Sequence, residues 1–115
     1  MLRGEIRVVD LDPVRSGEAG KRRPAVIVSN DGANLTAARL GSGVVTVVPV
    51  TLNTGRVYAF QVLLPSDESG LDHDSKAQAE QVRSVSVDRV AEQIGIVPAP
   101  LMAEVDEALR LHLAL

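Results

Sequence analysis

The chain has 115 residues, of which 45% are hydrophobic and 23% charged, with no cysteine. A compact domain holds roughly 100 to 150 residues around one core, so a single domain over residues 1–115 is expected, and the apolar content excludes a disordered chain. The lack of cysteine excludes a disulfide framework and any thiolate metal or redox site, while a net charge of −3 and a pI near 5.3 argue at first against a nucleic-acid partner.

In chain order, Gly4–Leu11 (GEIRVVDL) is rich in β-branched residues and reads as a first strand, closed by the turn signal Asp12-Pro13. Glu5 and Asp10 interrupt any secretory apolar stretch, and no run approaches the roughly 18 apolar residues of a membrane span. A cytoplasmic protein without a membrane partner is expected. Val14–Arg23 has two glycines and no apolar period, which reads as a flexible loop. Pro24–Ser29 (PAVIVS) is a continuous apolar run suited to a strand buried on both faces, opened by its proline and closed by a turn at Asn30-Asp31-Gly32. Asn34–Leu40 predicts at most two helical turns behind an Asn cap, ending before Gly41.

Gly43–Thr51 (GVVTVVPVT) returns to strand composition, with Pro49 marking a bulge or sheet edge near its end. Val57–Leu64 alternates Tyr58, Phe60, Val62 and Leu64 against smaller or polar neighbours, the pattern of a half-buried strand. An acidic loop over Asp67–Asp74 follows. Ser75–Ser86 fits either strand or helix; strand is favoured, with Lys76, Gln78 and Glu80 sharing one face. A helical turn capped at Ser86, a strand over Gln93–Val97 and a helix from Pro100 complete the chain. That helix carries Leu101, Val105, Ala108, Leu109 and His112 on one stripe. The sum is a β-rich α+β fold, either a small barrel or two packed sheets with helices appended.

The average charge conceals a split: residues 1–56 carry eight Lys or Arg against five Asp or Glu, residues 57–115 four against ten. Cations are densest at Lys21-Arg22-Arg23, where a strand entrance can hold them still against phosphates. Taken alone, such a run is more often a solvated loop, and Thr51 alone is more often a strand end bonded to its own backbone.

The ordered combination is more specific. RGEI and VDLDP within Arg3–Pro13, a Gly-Glu loop, RPAVIVSN at Arg23–Asn30, VVPVT at Val47–Thr51, YAFQVLL, Gly70-Leu71, DSKAQAEQVRSV at Asp74–Val85 and Ile94-Gly95 together resemble the MazF/PemK toxin family over nearly the whole chain. The resemblance implies a small SH3-like β-barrel with a short helix after the second strand and a C-terminal helix. It further implies a homodimeric toxin, inhibited by a cognate MazE-like antitoxin, that cuts single-stranded RNA with sequence selectivity. Carried over by motif, Arg23 and Thr51 are catalytic, Glu18 lies in the loop whose acidic residue contributes to the site, and Gln81 and Arg83 match a segment near the RNA groove. Many relatives have Trp where Arg7 or Val8 stands, and this chain has no Trp. With few aromatics available for stacking, base selectivity is expected to rest more on hydrogen bonds.

Such cleavage is expected to run without a metal or other cofactor, through attack of the RNA 2′-OH on the adjacent phosphorus, leaving a 2′,3′-cyclic phosphate and a 5′-OH and sparing DNA. Arg23 suits stabilisation of the phosphorane charge, because a guanidinium stays protonated and is a poor base at neutral pH. Thr51 is then a positioning hydroxyl and Glu18 the candidate base. Lys21 and Arg22 are expected to bind phosphate, and Lys76, Gln78 and Glu80 either to read base edges or to form an ordinary solvated sheet face. His73 sits in an acidic loop and is a secondary candidate acid, His112 is expected to pack, and their separation makes no metal spacing. The competing reading is a gyrase poison similar to CcdB, but that type relies on a C-terminal Trp-Gly-Ile and this chain ends HLAL.

Overall fold

The computed structural model describes residues 1–11 and 21–115. Among them, seven antiparallel strands form one strongly coiled, barrel-like sheet: β1 (Glu5–Asp10), β2 (Arg22–Ile27), β3 (Val44–Thr51), β4 (Gln61–Leu64), β5 (Ser75–Gln78), β6 (Arg83–Ser86) and β7 (Val90–Ile96). Their spatial order is β4-β5-β3-β2-β1-β7, with β6 also on β3. Helices α1 (Asp31–Leu40), α2 (Ser66–Ser69) and α3 (Ala99–Leu113) complete the fold, as the β-rich α+β reading with a helix after the second strand and another at the C-terminus anticipates.

Strand alternation divides the core in two. Ile6, Val26, Val48 and Val50 point to one face, where Val62, Leu64 and the α3 residues Leu101, Val105 and Ala108 cover them. Val9, Ala25, Ile27, Val45 and Val47 point to the other, covered by Val85 and by Ala37 of α1. The middle of β2 is thus buried on both faces, as its unbroken apolar run requires. Each fully buried Val or Leu contributes on the order of 1.5–3 kcal/mol.

The second strand starts at Arg22, two residues before the proline expected to open it. Pro24 stands opposite Val8 of β1, while the ladder to β3 begins only at Ala25 opposite Pro49. A residue without an N–H is tolerated where that ladder has not begun. Pro49, expected to mark a bulge or sheet edge near the end of β3, lies two residues before that end and inside the sheet. β3 pairs with β6 through Val47 and with β5 from Val50, so Pro49 occupies the interval between these partners.

Three further expectations are corrected. Asn30-Asp31-Gly32 is the start of α1, not a turn: Asn30 is the N-cap, its Oδ1 accepting the Ala33 N–H at 2.8 Å, and Gly41 closes the helix at φ 64°. Asn34, the expected cap, is instead fully buried. Its Nδ2 donates to the Ser29 carbonyl (2.8 Å) and its Oδ1 accepts from the Ser29 hydroxyl. The same hydroxyl accepts the Thr46 N–H at 3.0 Å, locking α1 to β3. Second, β4 is confined to Gln61–Leu64, because Tyr58 and Gln61 close a turn just before it. Third, the strand expected over Ser75–Ser86 is broken by a 3₁₀ turn at Ala79–Gln81, so Lys76, Gln78 and Glu80 do not share one strand face.

Towards the C-terminus, a 3₁₀ turn at Val87–Arg89 follows Ser86, whose side chain makes no cap bond. β7 starts at Val90, three residues before the predicted Gln93. Pro98 caps α3 and Ala99 begins it, so Pro100 is not its first residue. His112 is exposed, correcting its expected packing role. No described helix is long and apolar enough to cross a membrane.

Candidate active site

Because the β2–β3 ladder stops at Ala25 and Pro49, the strand ends beyond these residues separate. They leave a cleft of about 290 Å³ lined by Lys21, Arg22, Arg23, Pro24, Val50, Thr51 and Leu52. Continued two residues, the register of Ala25 opposite Pro49 sets Arg23 opposite Thr51 across it. Each side is held from behind. Arg23 is paired with Val9 of β1, and Thr51 with Lys76 of β5.

Lys21 enters the strand with a left-handed backbone (φ 64°), a conformation costing a non-glycine residue about 1–2 kcal/mol. Its carbonyl accepts the Leu11 N–H at 2.9 Å, which offsets the strain and fixes the start of β2 against the end of β1. Arg83 reinforces the junction by donating to the Leu11 carbonyl at 3.1 Å. Arg22 lies 3.9 Å from Glu92, a long and exposed ion pair that holds it weakly.

The Thr51 Oγ1 accepts the Asn53 N–H at 3.3 Å. This is the local backbone bond expected of a threonine ending a strand. It orients the oxygen and leaves the hydroxyl proton available to donate. The cleft therefore offers three cations and one oriented hydroxyl, a set suited to an anionic, hydrogen-bond-accepting group such as a phosphodiester.

The remaining candidates do not converge on this cleft as expected. Lys76 is only 6% exposed, and its ammonium donates to the Arg56 carbonyl at 2.5 Å instead of projecting to solvent. Gln78 and Glu80 are half-buried, each with one buried oxygen that finds no donor. Glu80 accepts from Gln61 Nε2 at 2.7 Å. Gln81 lies half-buried in the 3₁₀ turn. His73 is exposed in the acidic loop. Glu18, with the rest of the Gly-Glu loop and the Asp12-Pro13 turn, lies outside the described residues. Among the described residues no three His, Asp or Glu side chains are grouped as a metal would need.

One group was not picked out in the sequence. Arg56, Tyr58 and Phe60 form a stack, with the guanidinium carbon 4.8 Å from the Tyr58 ring centre and the two rings 5.3 Å apart and parallel within 1°. Tyr58 and Phe60 carry the alternation expected of a half-buried strand over Val57–Leu64, and Arg56 stands one residue before it.

The family model for the PemK-like, MazF-like toxin of type II toxin–antitoxin systems matches residues 2–113. Endoribonuclease MazF9 of Mycobacterium tuberculosis is 60% identical over 115 residues, covering 100% of this chain and 98% of that protein. Among solved structures, MazF (Form-I) from Deinococcus radiodurans superposes with a TM-score of 0.81 at 29% identity, covering 100% of this chain and 97% of the other. An endoribonuclease in complex with its cognate antitoxin from Mycobacterial species gives 0.75 at 25% identity, covering 100% and 96%.

Proposed function

The chain belongs to the PemK-like, MazF-like toxins of type II toxin–antitoxin systems, and from that premise we propose that it is an endoribonuclease. It cuts single-stranded RNA at selected sequences, without a metal ion, in the cleft between Arg23 and Thr51. The observation that carries this reading is the placement of those two side chains on opposite sides of one cleft, beside Lys21 and Arg22.

The RNA supplies its own nucleophile, so no activated water is required. The 2′-oxygen bonds to phosphorus, the bond to the 5′-oxygen breaks, the 2′ proton passes to a base and the 5′-oxygen gains one. The products are a 2′,3′-cyclic phosphate and a 5′-OH. Arg23 presents a planar fork to the phosphorane oxygens, whose charge it stabilises. Thr51 donates its hydroxyl proton to a phosphate oxygen. Lys21 and Arg22 hold flanking phosphates, and Glu18 is the base. Residues 1–115 act as one toxin domain, in a cytoplasmic homodimer restrained by a MazE-like antitoxin.

The test is incubation of the pure protein with mixed single-stranded RNA in excess EDTA, followed by mapping of the new ends. Cuts at a recurrent sequence bearing cyclic phosphate and 5′-OH ends are expected. Loss of all cutting in EDTA would overturn the metal-free route, and 5′-phosphate ends would overturn the 2′-OH attack.

A further inference from the structure

The segment that leaves Thr51 is held in an unusual way. Arg56, Tyr58 and Phe60 are three of its residues, and the chain's single Tyr and single Phe meet there. Tyr58 is 44% exposed and Arg56 is exposed, so the stack does not serve the core. Among the described residues Arg56 makes no ion pair, and its guanidinium rests on the ring instead.

Buried polar groups hold the stack from beneath. Lys76, itself paired with Thr51, donates to the Arg56 carbonyl. Gln61, 8% exposed, accepts the Tyr58 N–H through Oε1 (3.2 Å) and donates its own N–H to the Tyr58 carbonyl (2.9 Å). Glu80 then accepts from the Gln61 amide. Burying an ammonium and an amide to immobilise a surface segment costs desolvation, and it leaves a flat cationic surface already ordered for a ligand.

We propose that the outer face of the Arg56 guanidinium, backed by Tyr58 and Phe60, is a stacking platform for one unpaired nucleobase of the RNA strand that leaves the Arg23–Thr51 cleft. The inference rests on the RNA-cleaving reading of that cleft. The Tyr58 ring already carries the Arg56 guanidinium and the Phe60 ring, so the base lies on the exposed guanidinium, a surface on which unpaired bases stack. The guanidinium edge remains available to the adjoining phosphate. A nucleobase fits better than an apolar peptide because the exposed layer is planar and charged, and because Lys76, which holds the Arg56 carbonyl, is the cross-strand partner of Thr51 in the cleft lining.

The chain has one Tyr and no Trp, so its tyrosine emission reports on Tyr58 alone. Titration with an uncleavable, single-stranded 2′-O-methyl RNA oligonucleotide of mixed sequence is expected to quench that emission. Arg56→Ala and Arg56→Lys should keep the wild-type melting temperature and bind about tenfold more weakly. Lysine keeps the charge without the plane, so wild-type affinity in Arg56→Lys would overturn stacking. Quenching by an acidic peptide but not by the oligonucleotide would overturn it in favour of a protein partner. Wild-type cleavage of unmodified RNA combined with full affinity in Arg56→Ala would overturn the platform alone. Platform-dependent binding without any cleavage would uphold the platform and overturn the nuclease reading.

Discussion

Arg23 and Thr51 face each other where β2 and β3 have just parted, two residues beyond the Ala25–Pro49 pair that ends their ladder. Pro24 and Pro49 flank this parting. Pro24, the next β2 residue beyond that pair, has no N–H with which to extend the ladder. The space that opens is the cleft.

Arg23→Ala is expected to lower kcat by about 10²- to 10³-fold, the usual effect of removing a preorganised donor from developing charge. The fold should survive, since Arg23 is only half-buried at a strand entrance. Initial rates beside a thermal melt check this; a variant cutting at the wild-type rate removes Arg23 from the site.

Thr51→Val removes the hydroxyl at nearly constant volume and should lower kcat/KM by about tenfold, the worth of one hydrogen bond to a charged group. Thr51→Ser keeps the oxygen that accepts from Asn53 and should retain most activity. Equal rates for the Val and Ser variants would show that the hydroxyl plays no part.

Lys21→Ala combined with Arg22→Ala removes two cations from the cleft rim. For single strands the slope of log K against log salt is about −0.7 per neutralised phosphate. The double variant should therefore show a slope shallower by about 1.4 in RNA-binding titrations across a salt series. An unchanged slope places the bound phosphates elsewhere.

Lys76→Met keeps the length of a buried side chain while leaving the Arg56 carbonyl without its donor. Hydrogen exchange over residues 52–60 should accelerate while the β1–β2 ladder stays protected, and RNA affinity should fall with it. Uniform acceleration across the sheet would instead make Lys76 a global stability determinant.

Asn34→Ala strands the Ser29 carbonyl and hydroxyl and opens a small void, costing about 1–3 kcal/mol. A urea denaturation midpoint shifted down at constant slope is the expected reading. RNA cutting well below the transition should be unaffected, since α1 lies outside the cleft lining.

Much of the fold was legible because its signals are local. β-branched runs and alternation located β1, β2 and β3, and helical spacing located α3 through Leu101, Val105 and Ala108. Where a local pattern has two physical solutions, the sequence reading chose wrongly. Asn30-Asp31-Gly32 suits a turn or a helix cap, and the alternating Tyr58 and Phe60 suit a half-buried strand or a stack on one side of a loop. Choosing between them depends on what the rest of the chain places alongside.

The sequence by itself determined the family, the cationic strand entrance at Lys21–Arg23 and the strand ending at Thr51, because composition and segment order need no partner to be read. Only the tertiary structure decided that Arg23 opposes Thr51 across a cleft, that Lys76 is withdrawn from solvent to hold the Arg56 carbonyl, and that Gln61 and Glu80 support the Tyr58 turn. These are consequences of strand register and burial, which are set by contacts between residues far apart in the chain and cannot be read from any one segment.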